Sequence, residues 1–105
     1  MENNPLLKSY DDDSTKIVNL PIDGVLDLHM FQPSEVKELL PHYLAECMKI
    51  GIFEARIIHG KGSGMMRKTV HVILGRIPEV ISYRLAGEDA GGWGATLVSL
   101  RPKET

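Results

Sequence analysis

One cysteine, one tryptophan and two phenylalanines leave this chain little for covalent cross-linking or aromatic packing. Cys47 alone excludes an internal disulfide and a cysteine-built zinc cage, so it reads as a small buried hydrophobe. Long apolar runs are missing too. No stretch approaches the roughly 20 residues that a membrane-spanning helix needs, and the polar start Met1-Glu2-Asn3-Asn4 lacks the basic and apolar regions of a signal peptide. A cytoplasmic location and no membrane partner are therefore expected. Six prolines and ten glycines are too few for a collagenous or disordered chain. What remains has the 43% apolar and 25% charged residues of an ordinary globular protein, and at 105 residues it has room for one domain with one core.

Excess charge of one sign is also absent overall, the net being −2, but its distribution is uneven. Residues 1–52 carry four Lys/Arg against nine Asp/Glu, whereas residues 53–105 carry eight against five. A phosphate-bearing partner would be drawn to the second half, although a merely solvated face gives the same asymmetry.

Residues 1–16 hold the acidic run Asp11-Asp12-Asp13 and little to bury, so a flexible acidic arm is expected there, followed by a domain over 17–105. Residues 17–22 read as an extended lead-in, because Pro21 would deny a central strand one hydrogen bond. Val25-Leu26-Asp27-Leu28-His29 alternates as a strand, with Asp27 and His29 on one side. Pro33 suits a first helical position, and Val36, Leu39, Leu40, Tyr43, Leu44, Cys47 and Met48 keep one apolar stripe in phase through Pro41, so one bent helix is expected up to Gly51. A second strand over 53–58 ends in His59. A second helix over 65–77 stops at Pro78, with His42 on the first helix and His71 on the second taken as surface residues. Strands over 80–85 and 95–100 complete a βαβαββ order.

Two strands joined by such a helix run parallel with a right-handed crossover, so their C-terminal ends share one edge of the sheet. That edge is where open α/β sheets place ligands. Asp27, His29 and His59 fall there together with the loop Gly60-Lys61-Gly62-Ser63-Gly64, which feeds directly into a helix start. Three glycines in five positions allow close backbone approach, and a helix start favours an anion, so a phosphate is the natural guest, with Lys61 as counter-charge and Ser63 as a hydroxyl donor. A flexible turn would carry the same residues. The spacing is not that of a P-loop, which disfavours a nucleotide triphosphatase.

Two imidazoles beside a bound phosphate suit general acid and base chemistry on a phosphodiester, with Asp27 orienting one of them. The alternative is that both are strand-end residues satisfied by backbone partners. Asp27, His29 and His59 could also hold a metal, yet carboxylates are few for a two-metal nuclease, so no metal ligand is assigned. Arg67 and Lys68 extend the basic surface along the second helix. Trp93 sits among glycines and reads equally as a lid over the core or as a stacking platform for a base, which would contribute about 1–3 kcal/mol.

Leu26-Asp27-Leu28-His29, Ile57-Ile58-His59-Gly60-Lys61-Gly62-Ser63-Gly64 and Gly91-Gly92-Trp93-Gly94-Ala95-Thr96-Leu97-Val98 resemble, in this order and spacing, the three signature blocks of the Smr (small MutS-related) domain family. The resemblance covers about residues 20–102. It implies a two-layer α/β sandwich (α+β) with a four-stranded mixed sheet and two helices, like the C-terminal domain of bacterial translation initiation factor three. It also implies DNA or RNA as partner, and nicking or cleavage in several members, with Asp27-x-His29 and His59-Gly60-x-Gly62 as the associated motifs. Mg or Mn as a cofactor, and a ribosome as partner for a non-catalytic module, stay open. One departure stands out: Met30-Phe31 occupies the place where the family usually has glycine. Lacking MutS-type ATPase and clamp regions, the chain is similar to the stand-alone bacterial kind.

Overall fold

The computed structural model describes residues 20–87 and 94–102. The acidic arm and the lead-in up to residue 19 lie outside the described residues, as does Trp93. Six elements follow in the order β1 (Val25–Asp27), α1 (Pro33–Lys49), β2 (Glu54–Ile58), α2 (Met65–Leu74), β3 (Val80–Leu85) and β4 (Ala95–Leu100). The strands form one mixed sheet in the order β1-β2-β4-β3. β1 and β2 pair in parallel with Asp27 opposite Ile58, while β4 is antiparallel to both β2 and β3.

Period-two alternation divides the sheet. Leu26 and Leu28 of the first strand region, Ala55 and Ile57 of β2, and Val98 and Leu100 of β4 all point into the core. Both helices cover that face, α1 through Val36, Leu39, Leu40, Tyr43, Leu44 and Cys47, and α2 through Val70, Ile73 and Leu74. Burial of this apolar set is the main stabilising term, at roughly 1.5–3 kcal/mol for each large side chain. Leu20 and Ile22 of the lead-in pack against the same cluster. Tyr43 ties the start of β1 to α1: its hydroxyl accepts the buried backbone N–H of Gly24 at 2.9 Å. Burial first of all pushes that phenol up to about 12.

Helix α1 runs unbroken through Pro41, as its in-phase stripe requires, and opens with a capping box in which the Glu35 carboxylate accepts the Gln32 N–H at 2.7 Å. Three boundaries differ from the expected ones. β1 stops at Asp27, because a turn closed by the Phe31 N–H on the Leu28 carbonyl takes over; the ladder nevertheless gains one more bond, from the Leu28 N–H to the Ile58 carbonyl. β2 begins at Glu54 rather than at residue 53. α2 ends at Leu74 instead of 77, since Gly75 caps it; Pro78 is not the stop. Ile77 still reaches the core from the following turn.

Candidate functional site

The parallel pairing of β1 with β2 brings the segments that follow them to one edge of the sheet. His29 is the exposed member. Its side chain is 63% and that of Asp27 58% exposed. Asp27 Oδ1 accepts both the His29 backbone N–H at 2.9 Å and the ring Nδ1–H at 2.5 Å. The backbone N–H foremost, with the imidazole, holds the Asp27 carboxyl below its ordinary range. A carboxylate on Nδ1 leaves Nε2 as the unprotonated nitrogen of a neutral ring. That nitrogen lies 3.5 Å from where a Cβ on Gly60 would stand, so the imidazole faces the first residue of the glycine loop. With a φ of +85°, Gly60 also has a backbone that an L side chain rarely adopts.

His59 is placed differently. It is only 8% exposed, and both ring nitrogens are engaged: Nδ1 donates to the Gly60 carbonyl at 3.1 Å, and Nε2 meets Thr96 Oγ1 at 2.8 Å. Thr96, fully buried on β4, also meets Nε2 of His71 at 2.7 Å. His71 is thus not the surface residue that helical spacing suggested; it is half-buried between Thr96 and the ring of Tyr83, whose centroid is 5.0 Å away. Burial lowers the affinity of both imidazoles for a proton, and Arg67 lowers it further in each. With both rings neutral, the hydrogens can be assigned. A carbonyl only accepts, so His59 carries its proton on Nδ1 and its Nε2 accepts from the Thr96 hydroxyl; that hydroxyl has one hydrogen, so His71 must donate its own Nε2–H. The wire runs His71 to Thr96 to His59 to the Gly60 carbonyl.

Gly94 closes the loop onto the sheet. Its carbonyl accepts the N–H groups of both His59 and Gly60, each at 2.8 Å, so the Gly60 amide is not turned toward a ligand. A Cβ on Gly94 would stand 3.6 Å from Gly60 Cα and 3.4 Å from Lys61 Cγ, ordinary contact distances that place the loop directly against this end of β4. Lys61, Gly62 and Ser63 are exposed at the tip. Ser63 Oγ accepts the Met65 N–H at 3.3 Å at the start of α2. The Arg67 guanidinium folds back to within 3.1 Å of a Cβ position on Gly64, and Lys68 stands exposed one residue on. The Arg67 guanidinium therefore lies at a helix N-terminus that carries its own partial positive charge, with Lys61 exposed on the loop before it and Lys68 on the first turn after it.

Met30, in the place of the usual glycine, is 73% exposed and Phe31 is buried in the core. No non-glycine residue among those described has a positive φ, so this turn accepts methionine without strain. His42 is half-buried on α1, and Met65 is exposed. Among the described residues no three His, Cys, Asp or Glu side chains converge on one point, so they offer no preformed cage for Mg or Mn. Among the same residues no helix is long and apolar enough to cross a membrane.

The class that the fold and site define is a two-layer α+β domain with an exposed Asp-oriented histidine beside a glycine loop at the end of a parallel strand pair. The particular family follows from comparison: the chain belongs to the Smr domain family, whose model matches residues 26–101. It is similar to the Smr domain of Thermus thermophilus MutS2, with 32% identity and a TM-score of 0.72 over 76% of this chain and all of that one. It is likewise similar to YdaL, a stand-alone small MutS-related protein from Escherichia coli, with 28% identity and a TM-score of 0.70 over 77% of this chain and 66% of that one. Among curated relatives, endonuclease MutS2 of Halothermothrix orenii is 36% identical over 80 residues, and that of Symbiobacterium thermophilum 40% over 76. Those stretches are 76% and 72% of this chain but 10% of each relative, so the chain spans about a tenth of the length of the curated relatives it matches.

Proposed function

We propose that this chain is a nucleic-acid-binding nuclease module that cleaves or nicks a phosphodiester at the edge formed by His29 and the Gly60–Gly64 loop. The observation that carries the reading is the exposed His29 ring, fixed through Nδ1 on Asp27 with its basic Nε2 turned to Gly60. In this reading the scissile phosphate rests on the loop tip and the start of α2, held by Lys61, Arg67 and Lys68. His29 Nε2 takes the proton from an attacking water as general base; the water oxygen bonds to phosphorus, the P–O bond to the leaving nucleotide breaks, and the leaving oxygen takes its proton from solvent. Lys61 and the amides of the loop tip stabilise the charge that develops on the phosphorus oxygens. His59 acts at one remove: with both nitrogens engaged, it sets the Gly60 carbonyl and so the loop against which His29 works. The endonuclease name of the MutS2 relatives supports the assignment to cleavage.

A second reading, a non-catalytic module bound to DNA, RNA or a ribosome, is favoured by one observation. His59 has no nitrogen left for a second proton transfer, which leaves a single exposed imidazole at this edge. A cleavage assay over single-stranded and structured DNA and RNA, with and without divalent metal, separates the two. Turnover by the wild type that His29→Ala and Asp27→Ala abolish supports the nuclease. Binding without turnover supports the module, and equal turnover by all three proteins removes the proposed centre.

A further inference from the structure

Both helices pack on one face of the sheet, so the opposite face is left with its own side chains. Register sets those side chains in rows. Val25, Arg56, Leu97 and Arg84 stand opposite one another across β1, β2, β4 and β3, and Asp27 and Ile58 form the next row toward the His29 edge. A depression of about 420 Å³ opens over the β2, β4 and β3 part of this face, with Arg56, Arg84 and Leu97 among its walls. Asp27 rises from the same face as the arginines, because it stands two residues beyond Val25 on β1 and side chains two apart along a strand share a side; the His29 ring is bound to its carboxylate through Nδ1.

From these positions we infer that the open sheet face is the binding track for the single strand whose phosphodiester is held at His29. The inference rests on the nucleic-acid reading and names its substrate class. Three features select a single strand. The two arginines, two strand spacings or ~10 Å apart, supply cationic planes that both neutralise phosphate and stack on bases. Exposed or half-buried Val25, Leu97 and Ile58 offer apolar contact to base faces between them. A flat sheet inserts nothing into a duplex groove, whereas splayed bases lie down on it. The path has the right polarity of charge as well: Glu54 lies on this face one row beyond Arg56, away from His29, so a strand leaving His29 crosses Ile58 and reaches the arginines first. From Val25 to Asp27 the distance along β1 is two residues, or ~7 Å, and the His29 ring is held on the Asp27 carboxylate, which makes this a site for the nucleotides flanking the cleaved bond.

The test is the anisotropy of labelled 12-nucleotide uridine and thymidine strands titrated with the full chain between 50 and 200 mM NaCl, wild type against R56Q/R84Q. The double variant is expected to bind about five- to tenfold more weakly, and the slope of log K against log salt is expected to fall by about 1.4, at ~0.7 per phosphate contact on a single strand. R56K/R84K is expected to keep the slope. Wild-type binding matched by R56Q/R84Q would overturn the track alone; wild-type failure to bind either strand would overturn the nucleic-acid reading with it. Equal loss on a duplex of the same length would overturn the single-strand assignment. Should R56Q/R84Q fold poorly, the methyl resonances of Val25 and Leu97 in the wild type serve instead: shifts on adding the strand support the track, and unmoved resonances overturn it.

Discussion

His29 and His59 follow parallel neighbouring strands at the same edge of one sheet, yet they are different chemical objects. His29 is 63% exposed, with one ring nitrogen committed to Asp27. His59 is 8% exposed, with both nitrogens committed. A proton-transfer group needs a nitrogen that can reach solvent or substrate, whereas a buried imidazole in a closed hydrogen-bond chain holds its surroundings in place. The difference arises from the faces of the strands. His59 follows Ala55 and Ile57 on the core-facing side, while His29 follows Val25 and Asp27 on the other. Position along a strand thus decides which histidine stands in solvent and which one is held inside the fold.

The sharpest way to break this contrast is to remove each partner in turn. His29→Ala is expected to lower cleavage ~10²–10⁴-fold with little change in stability, because the side chain is mostly in water. Asp27→Asn should lower cleavage by less, since the ring loses its charge partner but keeps a hydrogen bond. Initial rates on the best substrate, with urea denaturation of the same samples, check both. If His59→Gln lowered cleavage as far as His29→Ala at unchanged stability, the division of labour would fail.

Thr96→Val strikes the other side of the comparison. It keeps the shape of the buried side chain but removes the one oxygen that both His59 and His71 use. Leaving those ring nitrogens without their partner is expected to cost about 1–3 kcal/mol of stability, a fall in Tm on the order of 10 °C for a domain of this size. Thermal unfolding at pH 7.5 measures it. An unchanged Tm would mean that the wire from His71 to the Gly60 carbonyl holds nothing together.

The alternation around Asp27 and His29, the in-phase stripe through Pro41 and the Gly51 stop were enough to anticipate β1, the single helix α1 and the shared edge. They sufficed because these features are local: each depends on residues within about two turns or one strand. The His59–Thr96–His71 cluster is not local. Thr96 lies 37 residues from His59 and 25 from His71, and its own strand reads as routine β sequence. Helical spacing put His71 toward water because it counts only the wheel of α2, and here the end of β4 with Tyr83 of β3 closes over that side of the wheel. One signal was available in advance. Thr96 is a polar residue at a core-facing position, in phase with Val98 and Leu100, and a buried hydroxyl demands a partner.

Within the loop, Gly60 and Gly62 make a smaller but cleaner contrast. Gly60→Ala should cost about 1–2 kcal/mol, because φ is +85°, and should reduce cleavage further by shifting the backbone that His29 Nε2 faces. A Cβ on Gly62 meets nothing within 4 Å, so Gly62→Ala should leave Tm within about 1 °C. If the loop tip lies against a phosphate, Gly62→Ala should nevertheless weaken oligonucleotide binding. Loss of binding at unchanged Tm would sharpen the case that Gly62 serves the ligand and Gly60 the fold.

The smallest effect tests the buried pair through pH. Burial depresses the proton affinity of His59 and His71 below the ordinary histidine value near 6.5. In the unfolded chain both imidazoles take up protons as pH falls through that value, while in the folded protein they resist until lower pH. Over that window the unfolded state binds more protons, so stability is fully present above about pH 6.5 and is lost progressively as pH falls toward the folded values. Urea midpoints between pH 7.5 and 5 should therefore drop for the wild type. His71→Gln, which keeps a donor for Thr96 but cannot titrate, should flatten part of that slope. The buried pair is then tested by a measurement that needs no substrate, and a slope left unchanged by His71→Gln would mean that burial of His71 does not oppose its protonation.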